Sequence, residues 1–151
     1  MIGNTFVEYF EQLFTSSQPT VGDELLEAIQ TKVTDRMNST LLQDFQAHEV
    51  EKALKQMHLM KAPGLDGMPP LFYQHFWPIV NPIVIKTILD FLNHDITPPK
   101  FHETHIVLIP KTKNPERVTN YRSISLCNVV YKLASKTMTK QAKVDHPGNN
   151  M

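Results

Sequence analysis

The sequence predicts an α+β fold, mainly helical with one antiparallel β-hairpin. Three observations carry this. In the stretch Phe45 to Met60, Val50, Leu54 and Met57 recur at i, i+4 and i+7, one face of a helix. Two short apolar runs, His105 to Ile109 and Arg122 to Leu126, read as strands. The loop between them is too short for a parallel crossover, so they pair antiparallel.

The elements follow in order. A helix is predicted over about Thr5 to Thr15, with Phe6, Tyr9, Phe10, Leu13 and Phe14 on one side. "TSSQPTVGD" reads as a loop. A second helix is predicted after Asp23, with Leu25, Leu26, Ile29 and Val33 apolar. The Phe45–Met60 helix stops at "KAPGLDGMPP", where three prolines and two glycines forbid its continuation. Helix resumes near Pro70, which suits a first turn. Pro78 and Pro82 are expected to break or re-aim the chain before a helix over "IVIKTILDFLN". After the hairpin, Asn128 is placed to cap a last helix from Val129 to about Lys143. The division is thus a helical segment over 1–60, a second region over 61–143, and a polar tail over 144–151 expected to fray.

Composition narrows the classes. At 151 residues and 41% apolar content the chain fits a globular domain or a piece of one. A single cysteine, Cys127, excludes an internal disulfide framework and suits a reducing compartment, so an intracellular site in nucleus or cytoplasm is expected. The start lacks signal-peptide character. No apolar run approaches the roughly 20 residues of a membrane span. Net charge is zero, yet residues 1–60 hold nine acidic and four basic side chains, whereas residues 100–143 hold nine basic and two acidic. A basic end of this kind fits either a polyanionic partner or a solvated face.

The candidate binding residues lie in that basic half. Lys111 leaves the first strand and Arg122 enters the second, so antiparallel pairing brings both to one end of the hairpin. Arg offers a planar fork of donors and Lys a point charge, which together make a triphosphate or backbone clamp. The alternative is a loop with solvated charges. Lys113 and Arg117 lie in the same loop. Lys132, Lys136, Lys140 and Lys143 fall within a stripe about 80° wide on the last helix. With no acidic residue between Val129 and Lys143, the stripe reads as a backbone track beside the hairpin. "APGLDG" at 62–67 reads first as a tight turn, since it lacks the GK[ST] ending and the GxGxxG spacing of phosphate loops. His94, Asp95, His102 and His105 match no common zinc pattern. Cys127 reads as a small buried apolar residue, and Ser123 and Ser125 have no evident base. Two-metal nucleotidyl transfer needs clustered carboxylates, and the sequence has no Asp-Asp pair.

"KAPGLDGMPPLFYQHFW" followed by "THIVLIPKTKNPERVTNYRSISLCNVVYKLASK" resembles the reverse transcriptase of non-LTR (LINE-type) retrotransposons, in the form common in plant genomes. The shared elements are a KAPG-x-DG turn, an aromatic helix, a strand ending in IPK, a strand resembling YRPISL and a YK helix, in that order, over about Phe6 to Lys140.

The resemblance implies the fingers of a right-hand polymerase and the helical stretch before them. It places Lys111 and Arg122 over the incoming nucleotide and template. It gives Gly64, Asp66 and Gly67 a part in shaping the template side. The implied partners are an RNA template, a DNA primer and deoxynucleotides, and no membrane. Magnesium is expected for the full-length parent and no cofactor for this fragment. Two residues depart from the pattern: Ser123 stands at the usual proline and Gln141 at a usual arginine. The palm, with its metal-binding aspartate and Asp-Asp turn, is expected to come after this segment. The expected function is therefore a truncated fragment of an RNA-directed DNA polymerase, contributing nucleotide and template contacts but unable to polymerise alone. The alternatives are a non-catalytic nucleic-acid-binding remnant, or a helical interaction protein or inert relic.

Overall fold

The computed structural model describes residues 2–18 and 34–144. They form six α-helices and a two-stranded antiparallel sheet. The helices are α1 (Ile2–Phe14), α2 (Asp35–Leu41), α3 (Ala47–Lys55), α4 (Pro70–His75), α5 (Trp77–His94) and α6 (Val129–Val144). The strands are β1 (Thr104–Pro110) and β2 (Tyr121–Cys127), and a 3-10 turn over Val118–Asn120 leads into β2. The helix expected after Asp23 and the tail after Val144 lie outside the described residues. Among the described residues, no helix is long and apolar enough to cross a membrane.

The described residues fall into two compact units. One comprises 2–18 and 108–124, the other 34–107 and 125–144. The larger unit is built on α3, α4, α5 and α6. Its core joins Val50, Ala53 and Leu54 of α3, Val84 and Ile88 of α5, and Val129, Leu133 and Ala134 of α6. Burying one such side chain is worth about 1.5–3 kcal/mol. Thr137 is fully buried in the same face, and its hydroxyl donates to the Leu133 carbonyl at 2.9 Å, which satisfies it within its own helix.

Several boundaries differ from the sequence expectation, each for a physical reason. The α3 helix ends at Lys55 rather than near Met60. Distant side chains take over its last carbonyls: Gln74 Nε2 donates to Leu54 and Met57, and Lys136 Nζ donates to Gln56. The α2 helix was not anticipated. Thr34 caps it, with Oγ1 accepting from the Met37 amide at 3.2 Å.

Pro82 does not break the chain. The α5 helix runs from Trp77 to His94 with Pro78 in its first turn and Pro82 inside it. Both prolines are exposed, so water can serve the carbonyl that Pro82 leaves without a donor. The helix closes at Asp95, whose φ of 55° is a left-handed conformation that a short polar side chain tolerates. Asn93 then ties this end to the entry of α3, exchanging two hydrogen bonds with the Phe45 backbone at 2.9 and 3.1 Å.

In the smaller unit, α1 carries Phe6, Tyr9 and Phe10 partly buried, while Val7, Leu13 and Phe14 are exposed. Phe6 meets Tyr121 of β2 edge to face, with centroids 5.2 Å apart.

Candidate nucleic-acid interface

The end of the hairpin is fixed by the backbone. The Lys111 amide donates to the Asn120 carbonyl at 2.7 Å, so these residues face each other across the strands. Arg122 therefore sits opposite Ile109. Alternation along each strand puts Lys111 and Arg122 on one face as diagonal neighbours, a relation that spans about 7–8 Å.

The loop holds this arrangement. The 3-10 turn is closed by the Asn120 amide on the Arg117 carbonyl and the Arg117 amide on Asn120 Oδ1, both at 2.9 Å. Lys111 Nζ donates to the Thr119 carbonyl at 2.8 Å, which orients the ammonium while leaving it two further N–H donors. Arg122, Lys113 and Arg117 are exposed. No partner for their side chains occurs among the described residues. Chemically, the hairpin end can offer a guanidinium fork and an oriented ammonium to phosphate oxygens.

The 62–67 turn belongs to the larger unit. A side chain at Gly64 would meet Asn128 Oδ1 at 2.2 Å and the Asn128 nitrogen at 2.4 Å. Gly64 is thus required by close approach to the β2–α6 junction. Gly67 has a φ of 68° and open space around it, so it serves the turn conformation itself. Asp66 Oδ1 accepts from the Met68 amide at 3.1 Å. The Asp66 amide donates to Asn128 Oδ1 at 3.3 Å.

Asn128 stands at the anticipated N-cap position, immediately before Val129. Its side chain reaches across to the Asp66 turn, while its carbonyl starts the helix by accepting from the Lys132 amide. Burial, followed by the negative charge and hydrogen bonding of Asp66, pushes the Tyr73 hydroxyl up to about 12.

The lysines of α6 do not form a freely solvated stripe. Lys132 Nζ donates to the Ala62 carbonyl at 2.6 Å and Lys136 Nζ to the Gln56 carbonyl at 2.8 Å. Burial, and then Lys61, lower the Lys132 pKa. The Lys140 ammonium is out of solvent and has no hydrogen-bond partner among the described residues. Burial first, then Lys136 and Lys52, lower its pKa. Lys143 lies in the last turn of α6. Gln141 Nε2 donates to the Gln43 carbonyl at 2.9 Å and the Thr40 carbonyl at 3.4 Å, tying α6 to the end of α2.

Sequence reasoning missed Asn120 and Gln74, and of Asn128 it missed the reach to the Asp66 turn. Asn120 is the one with a local signal, an Asn three residues after Arg117 at a strand entry. Asn128 and Gln74 act on partners distant along the chain. Cys127 is half-buried, and its thiol lies 3.5 Å from Thr104 Oγ1. Among the described residues, no three His, Cys, Asp or Glu side chains converge as a metal site, and this holds for the histidines around His94 and His102.

No family model matches the chain. It is 26% identical over 146 residues to the "Transposon TX1 uncharacterized 149 kDa protein" of Xenopus laevis. The chain is distantly related to a transposon protein. The match takes in 92% of this chain but 11% of that relative, so the chain spans about a ninth of its length.

Proposed function

We propose that this chain is the fingers part of a retrotransposon reverse transcriptase, an RNA-directed DNA polymerase. In this reading it contacts nucleotide and template and lacks the carboxylates that catalyse transfer. The observation that supports the reading most is the diagonal pairing of Lys111 and Arg122 on one face at the hairpin end. Arg122 supplies two parallel N–H donors to one phosphate, and Lys111 supplies charge from a position held by the Thr119 carbonyl. Lys113 and Arg117 extend the positive field along the loop. Two-metal transfer requires clustered carboxylates. In this reading magnesium serves the full-length parent rather than this segment.

Purified chain given RNA template, DNA primer, deoxynucleotides and magnesium should extend no primer. It should still bind a labelled single-stranded oligonucleotide, with affinity falling linearly in log–log against salt by about 0.7 per phosphate contacted. Lys111→Ala with Arg122→Ala should lower that slope by about 1–2 and weaken binding about tenfold or more. Primer extension would refute the division of roles. Binding indifferent to salt, or to both substitutions, would remove the clamp.

The basic charge of residues 100–143 also fits a second reading, a non-catalytic nucleic-acid-binding remnant. The two part in a longer transcript. A reading frame that continues into a palm supports the first, and one that stops supports the second.

A further inference from the structure

In the smaller unit, α1 and the hairpin loop line a half-open cavity of about 340 Å³. Phe6, Glu116, Arg117, Val118 and Tyr121 line it. Strand alternation places Tyr121 on the face opposite Arg122, so this cavity is separate from the Lys111–Arg122 pair. Its volume lies at the small end for ligand sites, the scale of one base or nucleoside.

The lining has two halves. Phe6 and Tyr121 meet at 83°, and an edge-to-face pair leaves ring faces for a third planar group. Glu116 and Arg117 supply one carboxylate and one guanidinium, and neither side chain has a partner among the described residues. The ion pair found among the described residues is Lys86 with Asp90, on α5. The Arg117 backbone is held extended by its two hydrogen bonds to Asn120, and Pro115 stiffens the approach to Glu116.

We propose that this cavity receives an unpaired guanine base of a single-stranded nucleic acid. Guanine presents two parallel donors, N1–H and N2–H, that match the two oxygens of Glu116. It also presents O6 and N7, the acceptor pair that an arginine fork reads. Uracil and thymine have one ring donor, and adenine and cytosine offer only their exocyclic amino group. The Glu116 carboxylate repels phosphate, so the base enters rather than the backbone. The π-face stacks on Tyr121 or Phe6. The inference rests on the proposed function only in taking nucleic acid as the ligand.

The test is a titration of the full chain with guanosine and, separately, uridine, followed by NMR of the Phe6 and Tyr121 ring protons. Guanosine should shift both rings to saturation, with uridine at least about tenfold weaker. Glu116→Gln, an isosteric change at an exposed position, should abolish the preference while leaving the rest of the spectrum unchanged. No ring shift at millimolar guanosine, equal affinity for uridine, or an unchanged preference in Glu116→Gln would each overturn the proposal. Salt-dependent oligonucleotide binding without guanosine binding removes the cavity proposal alone. Guanosine binding with oligonucleotide affinity indifferent to Lys111→Ala and Arg122→Ala removes the clamp alone.

Discussion

Around α6, basic and amide side chains end on carbonyls of the same unit: Lys132 on Ala62, Lys136 on Gln56, Gln141 on Gln43. At the hairpin end, Arg122, Lys113 and Arg117 carry exposed side chains with no protein acceptor among the described residues. Both sets are basic, and both stand in the same half of the sequence. One set closes helix ends and the entry to the 62–67 turn, where carbonyls lack amide donors. The other remains available to an outside anion. Positive charge in a sequence therefore does not by itself mark a binding surface. What separates the two sets is whether a helix end or a turn lies within reach of the stem.

The largest break in this comparison comes from the turn that α6 meets. Gly64→Ala would set a methyl against the Asn128 backbone at about van der Waals-violating range, so the junction itself must move. A loss of about 1–3 kcal/mol is expected in urea unfolding. Stability unchanged by Gly64→Ala would show that the junction yields freely. Oligonucleotide binding by the hairpin end should survive the change wherever the chain remains folded.

Next comes a matched pair. Lys136→Met removes the donor to the Gln56 carbonyl and should cost about 0.5–1.5 kcal/mol. Lys113→Met should stay within about 0.5 kcal/mol in stability and act on oligonucleotide affinity instead. Equal effects of both on unfolding would erase the distinction between the two sets.

The smallest effect is a pH dependence. The Lys140 pKa lies below 10.5 in the folded chain, so the folded state releases its proton before the unfolded state does. Between the folded pKa and 10.5 the unfolded state binds more protons, and stability from this group rises with pH. The contribution is fully present above 10.5 and is lost as pH falls through the folded value. Lys140→Met should therefore flatten that rise and stabilise the chain most at neutral pH. Denaturation midpoints of the two proteins across pH 7 to about 10.5 measure it. A difference that grows toward high pH would contradict the burial of the ammonium.

The hairpin was legible in the sequence because everything that makes it is local: two apolar runs, a short connection and a cation at each entrance. The placement of Lys111 and Arg122 at one end follows from the same local signals. The α5 helix was misread at Pro82 because a missing amide is costly only where water cannot reach the freed carbonyl. The early end of α3 depends on Gln74 and Lys136, side chains that no window around Lys55 contains. Gly64 looked like a turn residue, and its real demand is the nearness of Asn128. The α2 cap at Thr34 was visible as a Thr-Asp pair, but only Met37 and Leu41 carry apolar periodicity there, too little to announce a helix.

The buried face of α6 has a consequence for how the chain is made. Val129, Leu133 and Ala134 close a core whose other walls are laid down between Val50 and Phe101. A ribosome reaches those closing residues only after the hairpin has been synthesised. The apolar sides of α3 and α5 thus wait several seconds for their cover, as a nascent chain that chaperones can recognise.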